Sequence, residues 1–140
     1  MDLLIEYALG FVGRPYIWGG SGLPGFDCSG LVQELLKFLG ACPPGDSTAQ
    51  GLFDHFEANA RQNSFTCGAL AFFGESVTRI THVGMLLNSN QMIEAGGGNS
   101  TCTSPEMAAK LNAFVRIRPI KSRKDLVAVL RPSYPVVGLM

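Results

Sequence analysis

Residues 19–40 read GGSGLPGFDCSGLVQELLKFLG. Glycines and other loop formers run up to a single thiol, Cys28, and an apolar periodicity begins immediately after it. Leu31, Val32, Leu35, Leu36 and Leu39 fall on one side of a helical projection, Gln33, Glu34 and Lys37 lie between them, and Gly40 supplies the stop. The spacing predicts a buried helix that opens at Cys28. A helix start presents unpaired backbone N–H groups and the positive end of the macrodipole, which favours a thiolate over a thiol. The same N–H groups can donate to a developing oxyanion, so nucleophile and oxyanion hole would come from one element. Position alone leaves a second reading open, in which Cys28 is a small buried hydrophobe.

The rest of the chain bounds the choice. At 140 residues, with 46% hydrophobic and 16% charged residues, it reads as one globular domain spanning residues 1–140. Eleven basic and eleven acidic residues cancel, so there is no electrostatic footprint for nucleic acid or an anionic membrane. No apolar run approaches the ~18 residues of a membrane span. The opening MDLLIEYALGFVG has an acidic second residue, and Glu6 interrupts its apolar run, so it does not resemble a signal peptide. It predicts a short amphipathic helix with Asp2 as N-cap and Gly10 or Gly13 near its end. The expectation is a chain made in the cytoplasm and not exported by the general secretory route.

Cys28, Cys42, Cys67 and Cys102 form no CxxC pair, and His55 and His82 form no HExxH motif. These spacings predict free thiols, no metal and no cofactor. After the helix at Cys28 comes the loop ACPPGD, then a helix from near Ser47 with Ala49, Leu52, Phe53, Phe56 and Ala60 inward. The second half changes period: TCGALAFFG, RITHVGMLLN, QMIEAG and NAFVRIRPI are short and β-leaning. Residues 104–111 predict a short helix, and the tail LRPSYPVVGLM predicts an extended surface segment. Helices first and strands second argue an α+β fold with an antiparallel sheet.

A nucleophilic thiol needs a base. His55 falls on the flank of its helix, whereas His82 shares one strand face with Gly84 and Leu86. If the following turn is the three residues Asn88 to Asn90, Glu94 pairs opposite Gly84 and becomes the diagonal neighbour of His82, roughly 7 to 8 Å away along the backbone. A two-residue turn would put them on opposite faces. In the first register Glu94 would orient the imidazole and stabilise its charged form; in the second it is an exposed strand residue.

The stretch RPYIWGGSGLPGFDCSGLVQELLKFLG resembles the signature of the NlpC-type cysteine peptidases, hydrolases of cell-wall peptides. The likeness continues in order through DSTAQ, GALAFF and THVGMLLNSNQMIEAG, over most of residues 10–100. It implies a minimal papain-like α+β fold, with N-terminal helices packed on a small antiparallel sheet and the nucleophile at a helix N-terminus. It further implies Cys28 as nucleophile, His82 as base, Tyr16 in support of the oxyanion, and Asp27 and Ser29 as receivers of the substrate's amino end. Trp18 either lines the groove or joins the core. Two positions depart from the family pattern: the third catalytic position, usually His or another polar residue, is Glu94, and the usual Gly-Asp-Leu is Gly68-Ala69-Leu70. The implied substrate is a peptidoglycan stem peptide, cut between D-glutamate and the diamino acid or at a nearby amide. Together with the absence of a signal peptide this suggests an enzyme released to the wall by phage lysis or dedicated secretion. Rival classes are a non-catalytic wall-peptide binding module and an acyltransferase on the same scaffold.

Overall fold

The computed structural model describes residues 1–22 and 25–135. Three helices come first: α1 (Asp2–Leu9), α2 (Cys28–Phe38) and α3 (Ala49–Phe56). Strands β1 (Arg61–Gln62), β2 (Leu70–Ser76), β3 (Arg79–Leu86) and β4 (Gln91–Gly96) follow, then α4 (Pro105–Leu111), β5 (Phe114–Pro119), a 3₁₀ turn (Ile120–Ser122) and β6 (Leu126–Arg131). The strands form one antiparallel sheet in the order β1-β6-β2-β3-β4-β5. The fold is therefore α+β, with three helices ahead of the sheet and α4 inserted between β4 and β5. Among the described residues, no helix is long and apolar enough to cross a membrane.

Both faces of the central strands are covered. Leu31, Leu35, Leu36 and Leu39 of α2 and Leu52, Phe53 and Phe56 of α3 pack with Phe72, Val83, Met85 and Ile93 on one face. On the other face Ala69, Ala71, Phe73, Leu86 and Met92 form a second cluster with Ile120 and Val129. Sheets covered on both sides read as continuous apolar runs, which is why residues 69–73 show no polar alternation. Ala69 is fully buried there, in the position where the family pattern carries Asp.

Local signals placed most of the boundaries. α3 starts after Thr48, whose side chain accepts from the Gly51 N–H, and α4 starts after Ser104, which caps Met107 in the same way. Three expectations need correction. Asp2 does not cap α1; it is the first helical residue, and Met1 occupies the N-cap without a side-chain hydrogen bond. Ala60 lies beyond the end of α3. The tail is not simply extended over the surface: Leu130 and Arg131 close β6, and the buried Tyr134 donates its hydroxyl to the Gly68 carbonyl. Residues 136–140 of that tail lie outside the described residues. Strand β6 escaped the sequence because Val127, Val129 and Leu130 gain meaning only by pairing beside β2, more than fifty residues earlier in the chain.

Candidate active site

Cys28 is the first residue of α2 and is half-buried. Its position is held by Asp27, the N-cap, whose Oδ1 accepts from the Gly30 N–H at 2.7 Å and whose Oδ2 accepts from the Gly19 N–H at 3.1 Å. The Asp27 N–H in turn donates to the Gly20 carbonyl at 2.9 Å, so the glycine-rich approach is tied to the helix start. Gly30 has no room for a side chain: a Cβ there would lie 2.0 Å from the Gly20 carbonyl oxygen. The residues flanking the thiol thus act first as architecture. Ser29, itself buried, donates to Asp27 Oδ1 at 3.3 Å. Burial raises the Asp27 carboxyl above its ordinary range and the nearby Asp46 adds to this, against the pull of those three hydrogen bonds.

The β3–β4 hairpin adopts the three-residue turn. Met85 pairs with Ile93 and Leu86 with Met92, and the Leu87 N–H donates to the Gln91 carbonyl, leaving residues 88–90 as the turn. Continued inward, this register sets Gly84 opposite Glu94; a Cβ on Gly84 would stand 3.5 Å from that of Glu94. His82 Nε2 and Glu94 Oε1 are 2.7 Å apart, with Glu94 fully buried and His82 nearly so. The exposed-strand reading of Glu94 is excluded.

Burial alone would lower the His82 pKa, but the neighbouring Cys28 thiol and the hydrogen bond to Glu94 outweigh it and raise the imidazole above its ordinary value. Burial likewise opposes the Glu94 carboxylate, and the bond to His82 with the charges of His82 and Arg118 holds it below the usual carboxylate range. His82 is therefore held by Glu94 through Nε2, and it lines the same hollow as the Cys28 thiol.

Two arginines complete the Glu94 environment. Arg118 Nη1 donates to Glu94 Oε2 at 3.2 Å, and Arg116 Nε stands 3.9 Å from the same oxygen with no hydrogen-bond partner of its own. β5 delivers both, since Arg116 pairs directly with Glu94 and Arg118 with Met92. The neighbouring glycines clear the space: a Cβ on Gly96 would lie 2.8 Å from Glu94 Oε2, and one on Gly97, at φ +87°, would lie 2.4 Å from Arg116 Nη2. Sequence reasoning missed these arginines, although two basic residues at period two in the apolar run FVRIRPI were a signal for a buried acid beside them.

Tyr16 is buried, its hydroxyl titrating well above the ordinary range because of burial first and the adjacent Cys28 second. Trp18 is exposed, which removes the core reading, and it lines both hollows that meet at Cys28. One hollow runs past Asp27, Ser29 and Asp46; the other runs past His82, the turn from Gly96 to Ser100, and Arg123. His55 is exposed on α3, packed edge-on against Phe56 and remote in contacts from this cleft. All four thiols are free.

A half-buried thiol at a helix N-terminus, in one hollow with an imidazole that a buried carboxylate orients, is equipped for acyl transfer. The NlpC/P60 family model matches residues 13–118. The chain belongs to the NlpC/P60 family. It is 36% identical over 97 residues to the bifunctional muramidase/DL-endopeptidase CwlT of Bacillus subtilis, covering 67% of this chain and 29% of that protein. It is 31% identical over 94 residues to the gamma-D-glutamyl-L-lysine dipeptidyl-peptidase of the same organism, covering 66% of this chain and 31% of that one. The chain thus spans under a third of the length of either relative. Its fold is also that of RipD from Mycobacterium tuberculosis, described as a non-catalytic NlpC/p60 domain protein adapted to peptidoglycan binding, with TM-score 0.66, 20% identity and coverage of 93% of this chain and 95% of that one.

Proposed function

We propose that this NlpC/P60 chain is a cysteine peptidase that hydrolyses peptidoglycan stem peptides, at the amide between D-glutamate and the diamino acid or at a nearby bond. The observation that carries the reading is the trio at one hollow: Cys28 at the start of α2 shares it with His82, whose Nε2 meets the buried Glu94 at 2.7 Å. The names of the two Bacillus relatives support the substrate class.

In this reading His82 takes the Cys28 proton and the thiolate attacks the amide carbonyl. The Cys28 backbone N–H and the Tyr16 hydroxyl face the oxyanion. The imidazolium then gives its proton to the departing amine as the carbon–nitrogen bond breaks, leaving a thioester. Water, deprotonated by His82, releases the acid and restores the thiol. Glu94 keeps the ring oriented and offsets its charge throughout. Asp27 and Ser29, with Trp18 at the rim, border the side that would hold the substrate's free amino end.

The competing reading is a binding module, for which RipD supplies the example. Incubation of diaminopimelate-type peptidoglycan with the protein and with its Cys28→Ala variant, followed by mass analysis of released peptides, separates the two. Defined fragments from the wild type alone support hydrolysis, and their masses name the bond. Retention on the wall by both proteins with no release would replace the peptidase by the binding module.

A further inference from the structure

The two hollows that meet at Cys28 differ in charge. The charged side chains on the wall of the first are Asp27 and Asp46. The second carries His82 and Arg123, and Arg123 is its one permanently cationic lining residue among those described. His82 lines only the second hollow, and His82 hands its proton to the departing amine, so the second hollow receives the leaving half of the substrate.

Arg123 is held in place for such contact. Its guanidinium lies over the Phe73 ring, 5.1 Å from the centroid, and the Phe73 ring is 5.6 Å from that of His82. Its Nε and Nη2 donate to the two Asp125 oxygens at 3.1 and 2.9 Å. That fork uses one edge of the guanidinium. The Nη1–Nη2 edge keeps three N–H donors, enough for a second bidentate carboxylate. Asp125 is not among the residues that line the hollow, and the Arg123 side chain is 29% exposed. A stacked and pre-oriented arginine loses little freedom on binding an anion.

We propose that Arg123 receives a free carboxylate on the leaving half of the substrate, so that the site selects peptides whose released residue carries an acid group. The inference rests on the peptidase reading for the direction of the substrate. Among wall peptides it favours diaminopimelate, which bears a second carboxylate, over lysine, which bears none at that end.

The test uses L-alanyl-γ-D-glutamyl-diaminopimelate with the side-chain carboxyl of its leaving residue either free or amidated. The wild type should show kcat/KM about tenfold or more higher for the free acid, the size expected of a charge-assisted pair. Arg123→Gln should bring the ratio of the acid's rate to the amide's rate down to about one, while Arg123→Lys keeps part of the preference. No preference in the wild type, or an equal loss on both peptides in Arg123→Gln, overturns the assignment. Calorimetry on Cys28→Ala, with and without Arg123→Gln, reads binding apart from chemistry. An Arg123-dependent preference for the acid with no turnover by the wild type would sink the peptidase reading and sustain the carboxylate subsite; equal binding of the two peptides, or none, sinks the subsite.

Discussion

His82 stands between partners that pull in opposite directions. Glu94 draws a proton onto the ring, while Arg118, at 3.2 Å from the other carboxylate oxygen, and Arg116 compete for the same negative charge. Nε2 stands 2.7 Å from the carboxylate, which leaves the other ring nitrogen to gain and lose the titrating proton, and the two groups titrate as a pair. Replacing Arg118 with Gln removes a positive charge beside that pair, so the imidazolium should lose its proton at higher pH. The expected readout is an upward shift of the His82 ring-nitrogen titration by NMR, with the matching limb of kcat/KM moving alongside, while Arg118→Lys keeps the wild-type profile. An unmoved titration in the Gln variant would reduce Arg118 to packing.

The same pair predicts a pH dependence of stability. His82 titrates above its ordinary 6.5 in the folded protein, so its contribution is complete below that value and is lost as pH rises through the folded pKa. Glu94 titrates below its ordinary 4.5, so its contribution is present above that value and is lost as pH falls through the folded pKa. The difference in melting temperature between the wild type and His82→Gln should therefore be largest in weakly acidic buffer and shrink toward alkaline pH. A difference that grows with pH would reverse the assigned sign.

At the scale of the element, the start of α2 is the part most constrained by its neighbours. Asp27 caps the helix, ties down Gly19 and borders the acidic hollow, so two roles are folded into one carboxylate. Asn keeps an accepting oxygen and removes the charge, whereas Ala removes both. Asp27→Ala should destabilise the protein by about 1 kcal/mol, the ordinary loss of an N-cap, and displace the thiol. Asp27→Asn should keep the cap to Gly30, lose only the Gly19 bond and so lower the melting temperature less than Asp27→Ala, and raise KM for peptides with a free amino terminus. Equal KM for the wild type and Asn variant would leave Asp27 with the capping role alone. The hairpin makes a similar point in its turn: the Asn88 side chain accepts from the Asn90 and Gln91 N–H groups at 2.9 Å, closing the three-residue turn that puts Glu94 on the His82 face.

At the scale of the whole molecule, β6 joins β1 to the rest of the sheet. It lies between β1 and β2, and its residues Ala128 to Leu130 pair with Phe72 to Leu70. A chain ended at residue 125 would expose β2 as a bare apolar edge and strip Val129 from the second core cluster. Such a truncation should lose cooperative thermal unfolding and aggregate; a sharp melting transition in the truncated protein would show that β1 to β5 suffice.

Local sequence determined what depends on neighbours a few residues away. The loop-to-helix break determined the start of α2 at Cys28, the apolar period determined its buried face, and the Asn-rich turn permitted the register that aligns His82 with Glu94. Those signals are legible because capping, periodicity and turn chemistry act over one or two turns of chain. The same local rules misplaced the cap of α1, where Asp2 has the right chemistry but enters the helix itself. Only the tertiary structure decided that α2 delivers the thiol to His82, that β5 sets Arg116 and Arg118 against Glu94, that β6 inserts beside β2, and that Arg123 reaches the His82 side of the cleft. Each of these is a meeting of distant segments, selected by the order in which strands pair and cores close, and no local period encodes that order.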